Sequence, residues 1–215
     1  MGDSSSVTVA SDDDERVWGL VSDVHGNYLA LEQALRVLSD AGARKLAFLG
    51  DYLGRGDSDR CIARIRQVAD VAILGNRDLD WQDRVSPLTK AFVLGLSRVA
   101  QAGRLLVSHG DSRLTPSLST NQIARDFLKV WPEMQARGAI VWAFGHSHHA
   151  RVWRKSSCAT TAELLSGEVV EMEATARYCL NVGTTGLPFA GKGGPSVALV
   201  DFTHGQIRQI PLPRV

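Results

Sequence analysis

The sequence is poor in cysteine and has no long hydrophobic run. Its 215 residues include three cysteines, Cys61, Cys158 and Cys179. An odd number of widely spaced thiols fits neither a disulfide framework nor a paired-cysteine zinc site. No apolar segment is long enough to span a bilayer, and the polar start of the chain lacks the apolar core of a signal peptide. We therefore expect reduced thiols and a cytoplasmic protein.

An excess of charge of either sign is also missing. The 24 basic residues balance 23 acidic ones, so there is no general electrostatic reason to bind nucleic acid or an anionic membrane. A hydrophobic fraction of 44% with 22% charged residues is typical of one globular domain of this length. We predict a polar, disordered leader over residues 1–15 and one domain over residues 16–215. The oligomeric state stays open.

Strand and helix patterns alternate along the first half of the chain. Val17–Val21 has the pattern of a strand, Tyr28–Leu38 places its apolar residues on one helical face, and Lys45–Leu49 is again a strand. Asp57–Val68 repeats the helical pattern, and Val71–Leu74 supplies a third short strand. This order predicts an α/β fold in which the three strands run parallel.

The second half of the chain has shorter and more varied elements. Helices are predicted over Leu88–Leu96 and Asn121–Arg137, and two strands flank Ala102 and Gly103. Short strands and glycine turns follow Ser157, so we expect more antiparallel pairing there.

Side chains that can bind metal ions follow five of the predicted strands. Taken singly, such residues are better explained as helix caps, turn formers or hydrogen-bonded histidines. However, ligands bind beyond the carboxyl ends of parallel strands, so these side chains can converge. Their oxygen and nitrogen donors, without cysteine, suit manganese, iron or zinc. The set comprises Asp23 and His25 after the first strand, Asp51 after the second, Asn76 after the third, His109 in "LLVSHGD", and His146 and His148 in "VWAFGHSHH".

The order of these motifs resembles a known family. "DVHGN", "GDYLGRG", "GNRD", "SHGD" and "GHSH", followed by "LNVGTTGLP", are similar to the motifs of the calcineurin-like metallophosphoesterase superfamily, specifically its small single-domain bacterial and archaeal phosphoesterases. The resemblance implies a four-layer α/β/β/α sandwich, with two mixed β-sheets flanked by helices.

The resemblance also implies a dinuclear metal centre that hydrolyses phosphomonoesters or phosphodiesters. Two divalent cations, with manganese favoured and iron, zinc or nickel as alternatives, would make hydroxide available for attack on phosphorus near neutral pH. The first cation would be held by Asp23, His25 and His148, the second by Asn76, His109 and His146, with Asp51 between them. The predicted catalytic residues are Asp51, Asn76, Arg77 and Asp78.

Three residues are predicted to bind the substrate: Asn27, Arg55 and Arg77. Backbone amides around Gly26 and Asn27, near the start of a helix, can donate to a phosphate oxygen. Arg55 occupies a position that resembles that of the phosphate-binding arginine in the protein-phosphatase motif, although Gly54 replaces an aspartate there.

Arg77 stands where many relatives have a histidine that is thought to protonate the leaving group. Arginine cannot donate a proton at ordinary pH, which favours good leaving groups or a proton supplied by metal-bound water. Its planar guanidinium can instead hold a phosphate oxygen. The alternative is a surface ion pair with Asp78 or Asp80.

Two classes of function remain open. One is a metal-dependent hydrolase acting on a phosphate ester or nucleotide; the other is a non-catalytic interaction scaffold of the same fold. The complete set of ligands favours the enzyme. Protein phosphatase, phosphodiesterase and dinucleoside-polyphosphate hydrolase are not separated by the sequence, but Trp81, just after "GNRD", is a candidate for stacking on a base.

Overall fold

The fold is described by a computed structural model over residues 17–110, 120–188 and 193–213. The predicted leader lies outside these ranges. The described helices are α1 (Tyr28–Asp40), α2 (Ser58–Val68), α3 (Asn76–Trp81), α4 (Pro87–Leu94) and α5 (Thr120–Ala136), with a short 3₁₀ turn at Gln82–Arg84. The described strands are β1 (Val17–Val21), β2 (Lys45–Phe48), β3 (Val71–Ala72), β4 (Val99–Ala102), β5 (Leu105–Ser108), β6 (Val141–Phe144), β7 (Arg151–Ser156), β8 (Glu163–Leu165), β9 (Val169–Glu171), β10 (Ala176–Asn181), β11 (Ser196–Asp201) and β12 (Gln206–Pro211).

The strands form two mixed sheets of six strands each. The first has the order β3-β2-β1-β11-β12-β9 and the second β4-β5-β6-β10-β7-β8. The prediction that the first three strands run parallel is confirmed, because β1 pairs parallel with β2 and β2 with β3. The second half is antiparallel only in part, since β5, β6 and β10 run parallel at the centre of the second sheet.

The core has three layers of apolar contacts, which produce the expected α/β/β/α sandwich. Side chains such as Leu20, Val107 and Val200 fill the space between the two sheets. Leu31 of α1 and Ile62 of α2 pack on the outer face of the first sheet. Phe127 of α5 packs on the outer face of the second. Burial on both faces explains why the central strands are apolar throughout.

The predicted element boundaries are close to those observed. Asp57, predicted as the first residue of a helix, is the N-cap of α2, and its side chain accepts the Arg60 amide. Only Val71–Ala72 of the predicted strand Val71–Leu74 pairs in the sheet. No helix in the described part of the chain is both long enough and apolar enough to cross a bilayer.

Candidate metal centre

The loops after β1 and β6 bring together the first group of predicted ligands. Asp23, His25 and His148 each offer one ligand atom, and these atoms lie within 4.8 Å of one another. Asp23 Oδ1 is 2.9 Å from His148 Nε2, and the Nε2 atoms of His25 and His148 are 3.2 Å apart. Residues 123 positions apart in the chain therefore point to one place, as expected for ligands of a single cation.

A second group lies directly beside the first. Asp51 Oδ1 is 3.2 Å from His109 Nε2, and these two residues form a second close set with Asp23. Asp51 Oδ2 is 3.9 Å from His25 Nε2, so the two oxygens of Asp51 face different histidines. Asn76 Oδ1 and His146 Nδ1 are 2.9 Å apart. All seven predicted ligands thus lie around one small region.

Two buried atoms of these groups fit a bound cation particularly well. Asp23 Oδ1 and His109 Nε2 have no hydrogen-bond partner among the described residues. Buried polar atoms are almost always satisfied, because leaving one without a partner costs roughly 1–3 kcal/mol. Divalent cations at the two predicted positions would each coordinate one of these atoms, so the residues present fit the metals that the motifs predict.

The backbone of the candidate ligands is strained. Among the described residues, five non-glycine residues have positive φ, between 51° and 66°, and all are predicted ligands: Asp23, His25, Asp51, His146 and His148. This left-handed conformation costs about 1 kcal/mol or more for each residue. Hydrogen bonds from Asp23 N to Gly50 O and from His25 N to Asp51 O hold the turns in place. Strain of this kind clusters at functional sites.

The imidazoles are oriented by hydrogen bonds from behind. His109 Nδ1 lies 2.6 Å from the Leu49 carbonyl oxygen, and His148 Nδ1 lies 2.7 Å from that of Leu187. These contacts assign the proton to Nδ1 and leave each Nε2 facing the site, the arrangement that metal-binding histidines use. Asp23 is fixed in a similar way, since its Oδ2 accepts the Ser22 hydroxyl and the His146 amide.

The buried carboxylates and imidazoles shift one another's pKa values. Burial acts to raise the pKa of Asp23, but the nearby imidazoles of His148 and His25 outweigh it and hold that pKa well below its usual range. Burial acts to lower the pKa of His109, yet the Asp51 carboxylate raises it to about 10. Both shifts arise from the close approach of carboxylate and imidazole, and metal binding requires the imidazoles in their neutral form.

Asp78, predicted as catalytic, lies behind the site and not in it. Its side chain is fully buried and its two oxygens accept four backbone amides, those of Asp51, Tyr52, Leu53 and Gly75. Burial and the nearby Asp51 carboxylate raise the pKa of Asp78 to about 6. The geometry makes Asp78 a positioning residue for the Asp51 loop, which the sequence motif alone did not distinguish from a catalytic role.

Two glycines in the motifs are required by close backbone contacts. A Cβ at Gly75 would lie 2.1 Å from the Asp51 amide nitrogen. A Cβ at Gly54 would lie 2.2 Å from the His25 carbonyl oxygen. The second contact leaves no room for a side chain at position 54, where the protein-phosphatase motif has an aspartate.

An open cleft of about 480 Å³ leads to the ligands. It is lined by Arg55, Arg77, Trp81 and Leu187 together with His25, His146, His148 and Asp51, and its volume is within the range of small-molecule sites. Arg77 pairs with Asp80 at 3.3 Å and not with Asp78. Trp81 lines the wall of the cleft, with the Arg84 guanidinium 4.5 Å from its ring centre.

The prediction that the backbone amides of Gly26 and Asn27 donate to a phosphate oxygen is wrong. Gly26 N donates to the Tyr52 carbonyl and Asn27 N to that of Val24, so both donors are already used. The Asn27 side chain caps α1 by accepting the Ala30 amide. The sequence could not show this, because the partner of Gly26 comes from a loop 26 residues away.

One segment that supports the site was recognised only as a motif. In "LNVGTTGLP", the Thr184 hydroxyl donates to the Asp23 carbonyl at 3.0 Å, and the Gly186 amide donates to the same oxygen at 2.9 Å. The Thr185 amide donates to the Ser22 carbonyl. This segment therefore holds the strained turn that carries the first ligands.

The four-layer sandwich is matched by known proteins. The family model of the calcineurin-like phosphoesterase superfamily domain matches residues 17–205, so the chain belongs to this superfamily. A metallophosphoesterase from Sphaerobacter thermophilus has the same fold, with a TM-score of 0.72 and 22% identity over 92% of this chain and 88% of that one. The E. coli phosphoesterase YfcE is more distant in structure, with a TM-score of 0.50 and 20% identity over 92% of this chain and all of that one.

The sequence match to one relative covers only a short segment. Over 60 residues, the chain is 33% identical to an uncharacterised protein of Methanocaldococcus jannaschii. The matched segment covers 27% of this chain and 25% of that protein. Membership of the superfamily supports a hydrolase of phosphoesters in general, and the candidate ligands support a site for metal.

Proposed function

We propose that the protein is a dinuclear metal-dependent phosphoesterase that hydrolyses phosphomonoester or phosphodiester bonds. The observation that carries this proposal is the convergence of the seven predicted ligand residues, with buried Asp23 Oδ1 and His109 Nε2 lacking any hydrogen-bond partner among the described residues. Two cations, manganese before iron, zinc or nickel, would supply an activated water at neutral pH and offset the charge on phosphate.

Three residues of the chain have proposed roles beside the metal ions. Asp51, with one oxygen toward His109 and the other toward His25, would lie between the two cations and offset their repulsion. The Arg77 amide donates to Asp51 Oδ1 at 2.8 Å, which fixes the orientation of that carboxylate. The exposed guanidiniums of Arg55 and Arg77 line the cleft, where they can hold the outer oxygens of a phosphate group.

The site offers no imidazole at position 77 to protonate the leaving group. In hydrolysis the oxygen of water bonds to phosphorus, the bond from phosphorus to the leaving oxygen breaks, and one proton of the water passes to the leaving group or to solvent. Without a side-chain acid, leaving groups that are stable as anions react fastest. We therefore propose aryl esters and phosphoanhydrides as better substrates than alkyl esters.

An assay panel tests the proposed activity. With added manganese, we expect hydrolysis of an aryl phosphate or a bis-aryl phosphate, and loss of that hydrolysis when a chelator is added. Manganese bound in the protein without turnover of any phosphomonoester, phosphodiester or nucleotide would favour the scaffold instead. The cytoplasmic location and the nucleotide as a possible substrate remain predictions.

Metal binding should also stabilise the protein. A cation at one hundred times its dissociation constant adds about 2.7 kcal/mol to the free energy of unfolding, which corresponds to a rise of roughly 5–10 °C in Tm for a chain of this size. Differential scanning calorimetry with manganese, zinc, nickel and iron measures this rise, and a chelator should reverse it. An unchanged Tm with every metal would contradict the site.

A further inference from the structure

A second cleft opens beside the one that contains the candidate ligands. It has a volume of about 620 Å³ and shares His25 and Arg55 with the first cleft. Its other wall is formed by residues that include Tyr28, Asp57 and Arg60. A molecule bound at the metal centre could therefore continue into this space without crossing a barrier of protein.

The second cleft carries an excess of positive charge. Within the described residues, neither Arg55 nor Arg60 forms an ion pair, whereas Arg64, one turn further along α2, pairs with Glu32 at 2.9 Å. Asp57 is the acidic residue of the cleft, and its side chain accepts the backbone amide of Arg60 as a helix cap. Two guanidiniums and one carboxylate thus line the cleft, which leaves one positive charge for a ligand to offset.

The guanidinium of Arg60 lies over an aromatic ring. Its central carbon lies 3.9 Å from the centre of the Tyr28 ring, a cation–π contact. Such stacking occupies the face of the guanidinium and leaves the N–H groups at its edge free to bond two oxygens of a phosphate group. Because the side chain is already oriented, less entropy is lost when it binds an anion.

We propose that Arg55 and Arg60 bind a second phosphate group of the substrate, so that the preferred substrates are esters of pyrophosphate or longer phosphate chains. This inference rests on the proposed phosphoesterase function and narrows its substrate class. Phosphate leaving groups also suit a site without a side-chain acid. When water attacks the phosphorus at the metal centre, the P–O–P bond breaks and the released phosphate, with a second pKa near 6, departs as an anion without prior protonation.

Binding of small phosphates tests the subsite directly. Isothermal titration calorimetry with the manganese-supplied protein should show that pyrophosphate binds at least ~10-fold more tightly than orthophosphate. In Arg60→Gln this preference should fall by roughly tenfold, because a charge-assisted pair of hydrogen bonds is lost. Arg64→Gln, on the same helix but already paired with Glu32, is the matched control and should keep the full preference.

Pyrophosphate also binds metal ions more tightly than orthophosphate does, so a preference in the wild type can arise from the metal ions alone. The comparison between the Arg60 and Arg64 variants isolates the contribution of Arg60. A wild type without the preference, or an Arg60→Gln variant that retains it, would overturn the subsite. Binding requires no turnover, so the two proposals can fail separately. A preference that depends on Arg60 in a protein that hydrolyses nothing would support the subsite and contradict the proposed function.

Discussion

Asp51→Asn should lower kcat/KM for a bis-aryl phosphate by about a thousandfold or more, which is roughly 4 kcal/mol of transition-state stabilisation. The substitution keeps the size of the side chain and one oxygen that can accept the Arg77 amide. It removes the negative charge placed between His109 and His25. Two cations would then repel each other without an anionic bridge, so the manganese content should fall together with the activity.

Steady-state kinetics with excess manganese and elemental analysis of the dialysed protein measure the two effects. His109→Ala should act in the same direction, since it removes the buried Nε2 that faces Asp51. Asp40→Asn, at the exposed end of α1, is the control and should match the wild type. Equal turnover by the wild type and Asp51→Asn would show that the catalytic role of Asp51 is wrong.

The position of the candidate metal centre could be predicted because it follows from the strand pattern. Apolar runs such as Val17–Val21 and Lys45–Leu49 end in residues able to bind metal, and the ends of parallel strands meet at one edge of a sheet. The structure confirms both strands within one residue. No contact between residues distant in the chain had to be known in advance, since the direction of the strands was sufficient.

The conformation of the ligands could not be predicted. Nothing in the letters of "DVHGN" shows that Asp23 and His25 both adopt positive φ, because aspartate and histidine more often have negative φ. The strain is maintained by distant segments, including Thr184 and Gly186. Such long-range support is a property of the tertiary structure, and local sequence patterns do not predict it.

The arginines illustrate a similar limit. The motif identified Arg55 and Arg77 as candidates because their positions match those of known functional residues, but Arg60 belongs to no motif. Its importance depends on the ring of Tyr28, which lies 32 positions earlier and comes close only in the folded chain. A sequence pattern records residue types at fixed spacing, whereas a subsite of this kind is defined by packing.

Replacing Asp78 should mainly destabilise the fold. Asp78→Ala would leave four buried backbone amides without an acceptor. At about 1 kcal/mol or more for each amide, the free energy of unfolding should fall by at least ~4 kcal/mol and the Tm by roughly 10 °C. Asp78→Asn keeps one acceptor oxygen but places an amide group against two of the donors, so its Tm should lie between those of Asp78→Ala and the wild type.

Thermal unfolding of the metal-free proteins separates this role from a catalytic one. Asp80→Asn, two residues along the same helix and exposed, should unfold at the wild-type temperature and shows the effect of losing a carboxylate outside the amide cluster. A catalytic acid would give the opposite result, with stability retained and turnover lost. If Asp78→Ala unfolds at the wild-type temperature, the hydrogen bonds from the four amides to Asp78 do not stabilise the fold. The positioning role assigned to Asp78 would then be wrong.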